Sequence, residues 1–121
     1  MSGLKHYKYD EIAFGKTVVG DQQTSIARLI NTAMGSTTMG AGIERLEKTR
    51  LEWTVTYDEV LFIREGELKV VSGGKTHLCR PGDIVWIPNG TTLIYDAPEA
   101  CEYFYALTPV DWAKRQGIEE P

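Results

Sequence analysis

The stretch Tyr57-Asp58-Glu59-Val60-Leu61-Phe62-Ile63-Arg64-Glu65-Gly66-Glu67-Leu68, followed by Pro81-Gly82-Asp83-Ile84-Val85-Trp86-Ile87-Pro88-Asn89-Gly90, decides the fold. Each half is a run of β-branched and apolar residues closed by a turn signal, the pattern of a strand. Glu59 stands seven residues before Gly66, and Gly82 stands six before Pro88. Glu65-Gly66-Glu67 turns the chain into Leu68-Lys69-Val70-Val71. Gly73-Gly74 suits a tight hairpin needing positive φ, and leads into Thr76-His77-Leu78-Cys79. Pro81-Gly82 fits a type II turn, with Pro88-Asn89-Gly90 as the next turn.

Outward from this centre, Thr54-Val55-Thr56, Thr92 to Tyr95 and Glu102 to Leu107 read as further strands. Pro109 starts a short terminal helix through Gln116, with Gly117 as its stop. Upstream, Thr37-Thr38-Met39 and Ile43-Glu44-Arg45-Leu46 read as strands, and Gly35, Gly40 and Gly42 permit bends or close backbone approach. Ser25-Ile26-Ala27-Arg28-Leu29-Ile30 reads equally as a helix start or a strand. Ile12-Ala13-Phe14 and Thr17-Val18-Val19 suggest one or two edge strands. Short strands separated by turn signals indicate a sandwich or barrel. The reading divides the chain into an N-terminal arm over 1–22, a barrel over 23–108, and a helix and tail over 109–121.

A chain of 121 residues, 42% of them apolar, makes one domain with a real core. A net charge of −4 argues against nucleic acid and anionic membrane as partners. No run of 18 apolar residues is present, and the basic N-terminus has no apolar run behind it. Cys79 and Cys101 do not make a disulfide scaffold, and read as reduced packing thiols of a cytoplasmic protein.

The two opening stretches resemble the halves of the cupin double motif. Trp53-Thr54-Val55-Thr56-Tyr57-Asp58-Glu59 through Glu65-Gly66-Glu67-Leu68 resembles, more narrowly, the C-terminal cupin domain of the ethanolamine-utilisation protein EutQ. So do Pro81-Gly82-Asp83, Ile87-Pro88-Asn89-Gly90, Pro109-Val110-Asp111-Trp112, and Met39-Gly40-Ala41-Gly42 at a matching distance from Trp53. The likeness covers roughly residues 20 to 113. It implies an all-β, single-domain cupin, a jelly-roll-like double-stranded β-barrel with a short C-terminal helix. It also implies a homodimer formed through barrel strands. EutQ carries a further N-terminal region that this chain mostly lacks. A stand-alone relative with another ligand is therefore as plausible as a role in an ethanolamine pathway. The kinase-type activity on acetate associated with EutQ is not carried over, because no Walker-type Gly-rich loop is present.

Metal-binding cupins place two histidines, one residue apart, three or four residues before the motif glutamate. Those positions here are Trp53 and Val55, or Glu52 and Thr54, and the histidine of the second motif is replaced by Leu93. Of that set Glu59 alone remains; Glu52 could add a second carboxylate in one register, still without imidazole. The expectation is therefore no metal and no cofactor.

Glu59 should point into the barrel among Trp53, Leu61, Ile63 and Leu93, where desolvation raises a carboxyl pKa. Tyr57, Tyr95, Tyr103 and Tyr105 are possible donors to it. Such a group suits proton transfer, with Glu59 and Tyr57 as the catalytic candidates. Alternatively, Glu59 fixes strand register. Trp53, Glu44, Leu93, Tyr95, Tyr103 and Tyr105 are the candidate ligand-binding residues. Cys101, Tyr103 and Tyr105 share one face of their strand, opposite Glu102, Phe104 and Ala106; the sequence does not say which face is inside. His77 reads as an edge residue, His6 as part of an arm, and Asp58 as a brace for the motif turn. Glu119-Glu120-Pro121 reads as a solvated end. No serine, histidine and acid can be grouped into a nucleophilic triad. The function expected is an EutQ-like cupin that binds a small molecule in its barrel, as an accessory protein of ethanolamine or related small-molecule metabolism. The alternative is a metal-independent isomerase or lyase using Glu59 with a tyrosine.

Overall fold

The computed structural model describes residues 3–19 and 22–117. The acidic tail lies outside these residues. Eight strands form the molecule: β1 (Gly15–Val19), β2 (Gln22–Ile30), β3 (Gly40–Thr54), β4 (Asp58–Gly66), β5 (Leu68–Ser72), β6 (Lys75–Cys79), β7 (Ile84–Ile87) and β8 (Thr92–Thr108). One α-helix, α1 (Trp112–Arg115), follows. All pairings are antiparallel, in the order β1-β2-β3-β8-β4-β7, with the β5–β6 hairpin joined to β8 through β5.

The sheet follows from period-2 patterning. On β4, Glu59, Leu61 and Ile63 face inward and are buried, while Phe62 and Arg64 face outward. On β8 the inward set is Leu93, Tyr95, Ala97, Cys101, Tyr103 and Tyr105. Leu61, Ile63, Leu68 and Leu93 are almost fully enclosed. Each such side chain contributes about 1.5–3 kcal/mol by leaving water. The face left open by the sequence is thereby settled: Cys101, Tyr103 and Tyr105 are inside, and Phe104 is 40% exposed outside. Both cysteines are buried and unbridged.

One open local reading is decided and others are corrected. Ser25 to Ile30 is strand, not helix, because β2 lies between β1 and β3 and its backbone bonds to both. Thr37-Thr38-Met39 is a bend preceding β3, and Ile12-Ala13-Phe14 carries no strand pairing. Val55 and Thr56 lie just beyond the end of β3, where the Val55 N–H and C=O bond to the Thr91 and Gly90 turn backbone. Thr92 to Tyr95 and Glu102 to Leu107 are two parts of one strand. Pro98, which has no N–H to give, and Glu99 stand opposite the single residue Lys48, whose φ is 47°, so β8 carries a bulge there. The strand passes through the proline because β8 itself carries the extra residue, and a bulge leaves the ladder unpaired at that point. At the predicted turns, Gly73, Gly74, Gly82 and Gly90 all have positive φ, and Asp58 Oδ1 accepts the Asn89 backbone N–H at 2.8 Å.

Glu102, on the outer face of β8, is nonetheless buried. The N-terminal arm covers it: the Tyr9 hydroxyl donates to its carboxylate at 2.7 Å. Arg45 and Arg64 reach it at 2.7 and 2.9 Å. Arg45 lies over the Phe14 ring and Arg64 over the Tyr9 ring. Burial opposes ionisation of Glu102. The hydrogen bonds from Tyr9 and Arg45 and the charges of both arginines outweigh that and hold its pKa below the usual carboxylate value.

Candidate functional site

The inward faces of β2, β3, β4 and β8, closed at one end by α1, surround a cavity of about 90 Å³. Glu44 and Trp53 come from β3, Tyr57 from the link into β4, and Glu59 from β4. Tyr95, Tyr103 and Tyr105 come from β8, and Trp112 from α1. Gly42 makes this convergence possible: a Cβ there would lie 2.2 Å from the Ala27 carbonyl oxygen and 2.8 Å from the Tyr105 hydroxyl. Without it, Tyr105 could not lie flat against β3.

The polar groups in the wall are paired in a definite order. The Tyr95 hydroxyl donates to Glu59 Oε1 at 3.1 Å. The Tyr103 hydroxyl donates to Glu44 Oε1, and the Thr24 hydroxyl to Glu44 Oε2 at 2.8 Å. Trp53 Nε1–H donates to the Tyr57 hydroxyl at 3.1 Å. Within these pairs, two atoms remain uncommitted among the described residues. Glu59 Oε2 has no partner among the described residues and is not sealed in the core, although Glu59 as a whole is 7% exposed. The hydrogen of the Tyr57 hydroxyl has no acceptor among them. Both are at the cavity wall.

Burial dominates the electrostatics. It pushes the Glu59 carboxyl up to about 8, against the hydrogen bond from Tyr95 and with help from the nearby Glu44 charge. Burial also raises Glu44, although Tyr103, Thr24 and Arg28 act the other way. Tyr57 is raised far above its usual range by burial, and next by the Glu59 charge. Arg28 on β2, which also lines the cavity, is the single cation among the described lining residues.

Of the residues singled out from the sequence, Glu59, Tyr57, Trp53, Glu44, Tyr95, Tyr103 and Tyr105 meet in this cavity. Leu93 does not. It lies one pleat beyond Tyr95, 1% exposed in the core, beneath a separate groove between the β5–β6 hairpin and β7. Leu61 and Ile63 likewise pack into the core rather than line the cavity. Glu52 is exposed and His77 lies on the exposed edge strand β6. Sequence reasoning missed Arg28, Ile26 and Trp112. The alternation Ile26-Arg28-Ile30 was a signal for the first two, available once β2 is read as a strand. Nothing local marks Trp112, whose ring meets Tyr57 at 4.8 Å and Trp53 at 6.2 Å between centroids.

A metal, usual in this fold, is tested by the donors. The described cavity lining holds no histidine or cysteine, and no group of three or more His, Cys, Asp or Glu converges among the described residues. Two carboxylates, each already accepting a phenol hydrogen bond, do not match the imidazole-rich set of a tightly held transition metal.

An antiparallel barrel-like sheet wrapped around an inward-facing motif glutamate defines a cupin. The cupin domain of Schizosaccharomyces pombe Cnp3 shares the fold, with a TM-score of 0.66 at 18% identity over 95% of this chain and 82% of that one. A family model of the ethanolamine utilisation protein EutQ matches residues 7–114, and the chain belongs to that family. The Escherichia coli K12 protein named acetate kinase EutQ is 31% identical over 110 residues, 91% of this chain and 47% of that protein. The crystal structure of ethanolamine utilization protein Q from Salmonella typhimurium LT2 superposes with a TM-score of 0.81 at 28% identity. It covers 89% of this chain and 88% of that one. The chain spans about half or less of the length of the curated relatives it matches. No helix among the described residues is long and apolar enough to cross a membrane.

Proposed function

We propose that the barrel cavity binds a small molecule without a histidine-held metal or other cofactor, and that the protein serves ethanolamine or related small-molecule metabolism as a cytoplasmic accessory protein. One observation carries this reading: Glu59 Oε2 has no partner among the described residues and stands at the wall of an aromatic-lined cavity. Enclosed apolar pockets with a few convergent polar groups are the usual form of small-ligand sites. The acetate kinase activity named for the relatives is not assigned to this chain. No Walker-type glycine-rich loop is present in the sequence to cradle a nucleotide's phosphates. No nucleic-acid or membrane partner is proposed. A second copy of the chain is, through the outer face of β4, β7 and β8.

The test combines native mass spectrometry and elemental analysis of the purified protein with a thermal-shift screen of small amines, alcohols, carboxylates and sugars. Less than one metal per chain and a saturable shift by one compound class are expected. A stoichiometric transition metal, or no response to any class, overturns the reading.

A second reading is favoured by the Glu59 carboxyl, lifted to about 8 beside the Tyr95 hydroxyl. A carboxyl poised near neutral pH can both take and return a proton. A metal-independent isomerase or lyase would use Glu59 as acid or base, with Tyr57 as proton partner. Exchange of solvent deuterium into a bound ligand, lost in Glu59→Gln, distinguishes catalysis from binding.

A further inference from the structure

We propose that strand β1 is a movable lip of the cavity and that the N-terminal arm, residues 3–14, is the latch that holds it shut. The inference rests on the cavity as the binding site proposed above and adds how access to it is controlled. Its test reads access with a probe, so it stands or falls whether or not a ligand is found.

The lip comes first. Thr17 on β1, Arg28 and Ile30 on β2, and Asn31 just beyond line the cavity and are only half-buried, so these strands form one side of its mouth. The Arg28 guanidinium donates to the Thr17 hydroxyl at 3.4 Å, a long bond that joins β1 to that side. β1 ends the sheet. Its five residues pair with β2 alone, and Val18 stands 59% exposed. A two-stranded ladder is marginal in water unless something else holds it.

The arm is what holds it, since it runs directly into β1 at Gly15. The Tyr7 hydroxyl donates to the Leu29 carbonyl at 2.6 Å. Leu29 is where β2 shifts register against β3, so it has no register partner on that strand. The Tyr9 hydroxyl donates to Glu102, and the Tyr9 ring packs on Arg64. The Phe14 ring, next to β1, packs on Arg45. These anchors lie on β2, β3, β8 and β4, four neighbouring strands, and the last three carry much of the core. The arm is a belt across the back of the cavity wall, and its far end is the lip. Releasing the belt leaves β1 with its β2 ladder alone. The open lip then gains population with no change in the cavity's own residues.

Two measurements test this. Acrylamide quenching of fluorescence in a Trp86→Phe background reads access to Trp53 and Trp112, which line the cavity. Hydrogen exchange of residues 15–19 reads the lip. Tyr7→Phe combined with Tyr9→Phe should speed that exchange about tenfold and raise the quenching constant about twofold, while exchange in β4 and β8 stays as it was. Lys16 and Ser25 are register partners whose side chains meet at 3.0 Å. A disulfide in Lys16→Cys/Ser25→Cys should return quenching of the Tyr7→Phe/Tyr9→Phe protein to the parent value, and reduction should raise it again. With the arm unaltered, the same disulfide should lower quenching below that of the reduced form, a comparison that needs no arm variant. Faster exchange of β1 with unchanged quenching overturns the lip. Quenching that rises but ignores the disulfide puts the opening elsewhere and overturns it too. Unchanged exchange in the arm variants overturns the latch.

Discussion

Tyr95 and Glu59, 36 residues apart in the chain, meet through a single 3.1 Å hydrogen bond between β8 and β4 inside the barrel. The phenol stays protonated there, because burial and the adjacent carboxylate both raise its pKa. The bond therefore survives ionisation of Glu59, and what changes with pH is the cost of a buried negative charge.

That cost gives the first prediction. The Glu59 carboxyl titrates at about 8 in the folded protein against 4.5 as its reference value. Between those values the unfolded chain has lost its proton and the folded chain keeps it. Stability should thus fall as pH rises from about 4.5 to 8 and level off above, by an upper bound on the order of several kcal/mol. Glu59→Gln should flatten much of this slope and be the more stable protein at pH 9. Glu44, raised in the same direction, leaves a residual slope. Urea unfolding at pH 5, 7 and 9 reads it; parallel slopes in both proteins would show that Glu59 is not buried as a carboxyl.

The outer clasp titrates with the opposite sign. Glu102 has its folded pKa held below 4.5, so its contribution is present above that value and is lost as pH falls through the folded pKa. Glu102→Gln should cost about 1–3 kcal/mol at pH 7, since hydrogen bonds from Tyr9, Arg45 and Arg64 lose their charge. The deficit should shrink on acidification below 4.5. Tyr9→Phe should cost less, about 1 kcal/mol, and should speed amide exchange in residues 9–14. A loss that is independent of pH would count against the charge-based account.

The outer face of the sheet carries Phe62, Ile84, Trp86 and Phe104, between 40% and 70% exposed. Strand register makes them neighbours: Phe62 pairs with Ile84 on one side and Phe104 on the other. This is the face proposed for a second copy. Sedimentation at micromolar concentration should give twice the 13.6 kDa chain mass, and Trp86→Glu should halve it without unfolding the chain. An unmodified protein that sediments as a monomer removes the dimer.

Gly42→Ala should be disproportionately harmful for one methyl group. The added carbon meets the Ala27 carbonyl at 2.2 Å, which is backbone and cannot swing aside. Overpacking of this kind costs about 1–3 kcal/mol or more, a fall in Tm of roughly 10 °C at 2 kcal/mol. Because Tyr105 must also retreat, any ligand affinity should fall beyond what the lost stability explains. Thermal melts with and without ligand separate the two effects.

Much of the fold was legible because turns and strands announce themselves locally. Gly73-Gly74, Pro81-Gly82 and Pro88-Asn89-Gly90 all turn the chain where their φ preferences say they should. The Glu59-Leu61-Ile63 alternation placed the motif carboxylate inside, and the four aromatic phenols near it were visible as candidates. What sequence did not show depends on partners far away. Pro98 reads as a strand end until it is seen to lie in a bulge of β8 that faces Lys48 of β3. Leu93 and Tyr95 share a face, yet one pleat separates core from cavity. Arg28 and Trp112 reach the cavity from strand β2 and helix α1, whose placement no local pattern specifies.

Strand β8 is bonded to β3, β4 and β5, and it carries three of the cavity's phenols. It is also the last strand among the described residues. During synthesis, β2, β3 and β4 leave the ribosome with their inward faces unfilled. Glu59 lacks its tyrosine until residue 95 has emerged, and Glu44 until residue 103. Trp112, which closes one end, follows later still. The site is thus assembled only after β8 and α1 have been made. A nascent chain stalled before β8 would expose two carboxylates among apolar side chains, a form open to chaperone capture and incapable of holding a ligand.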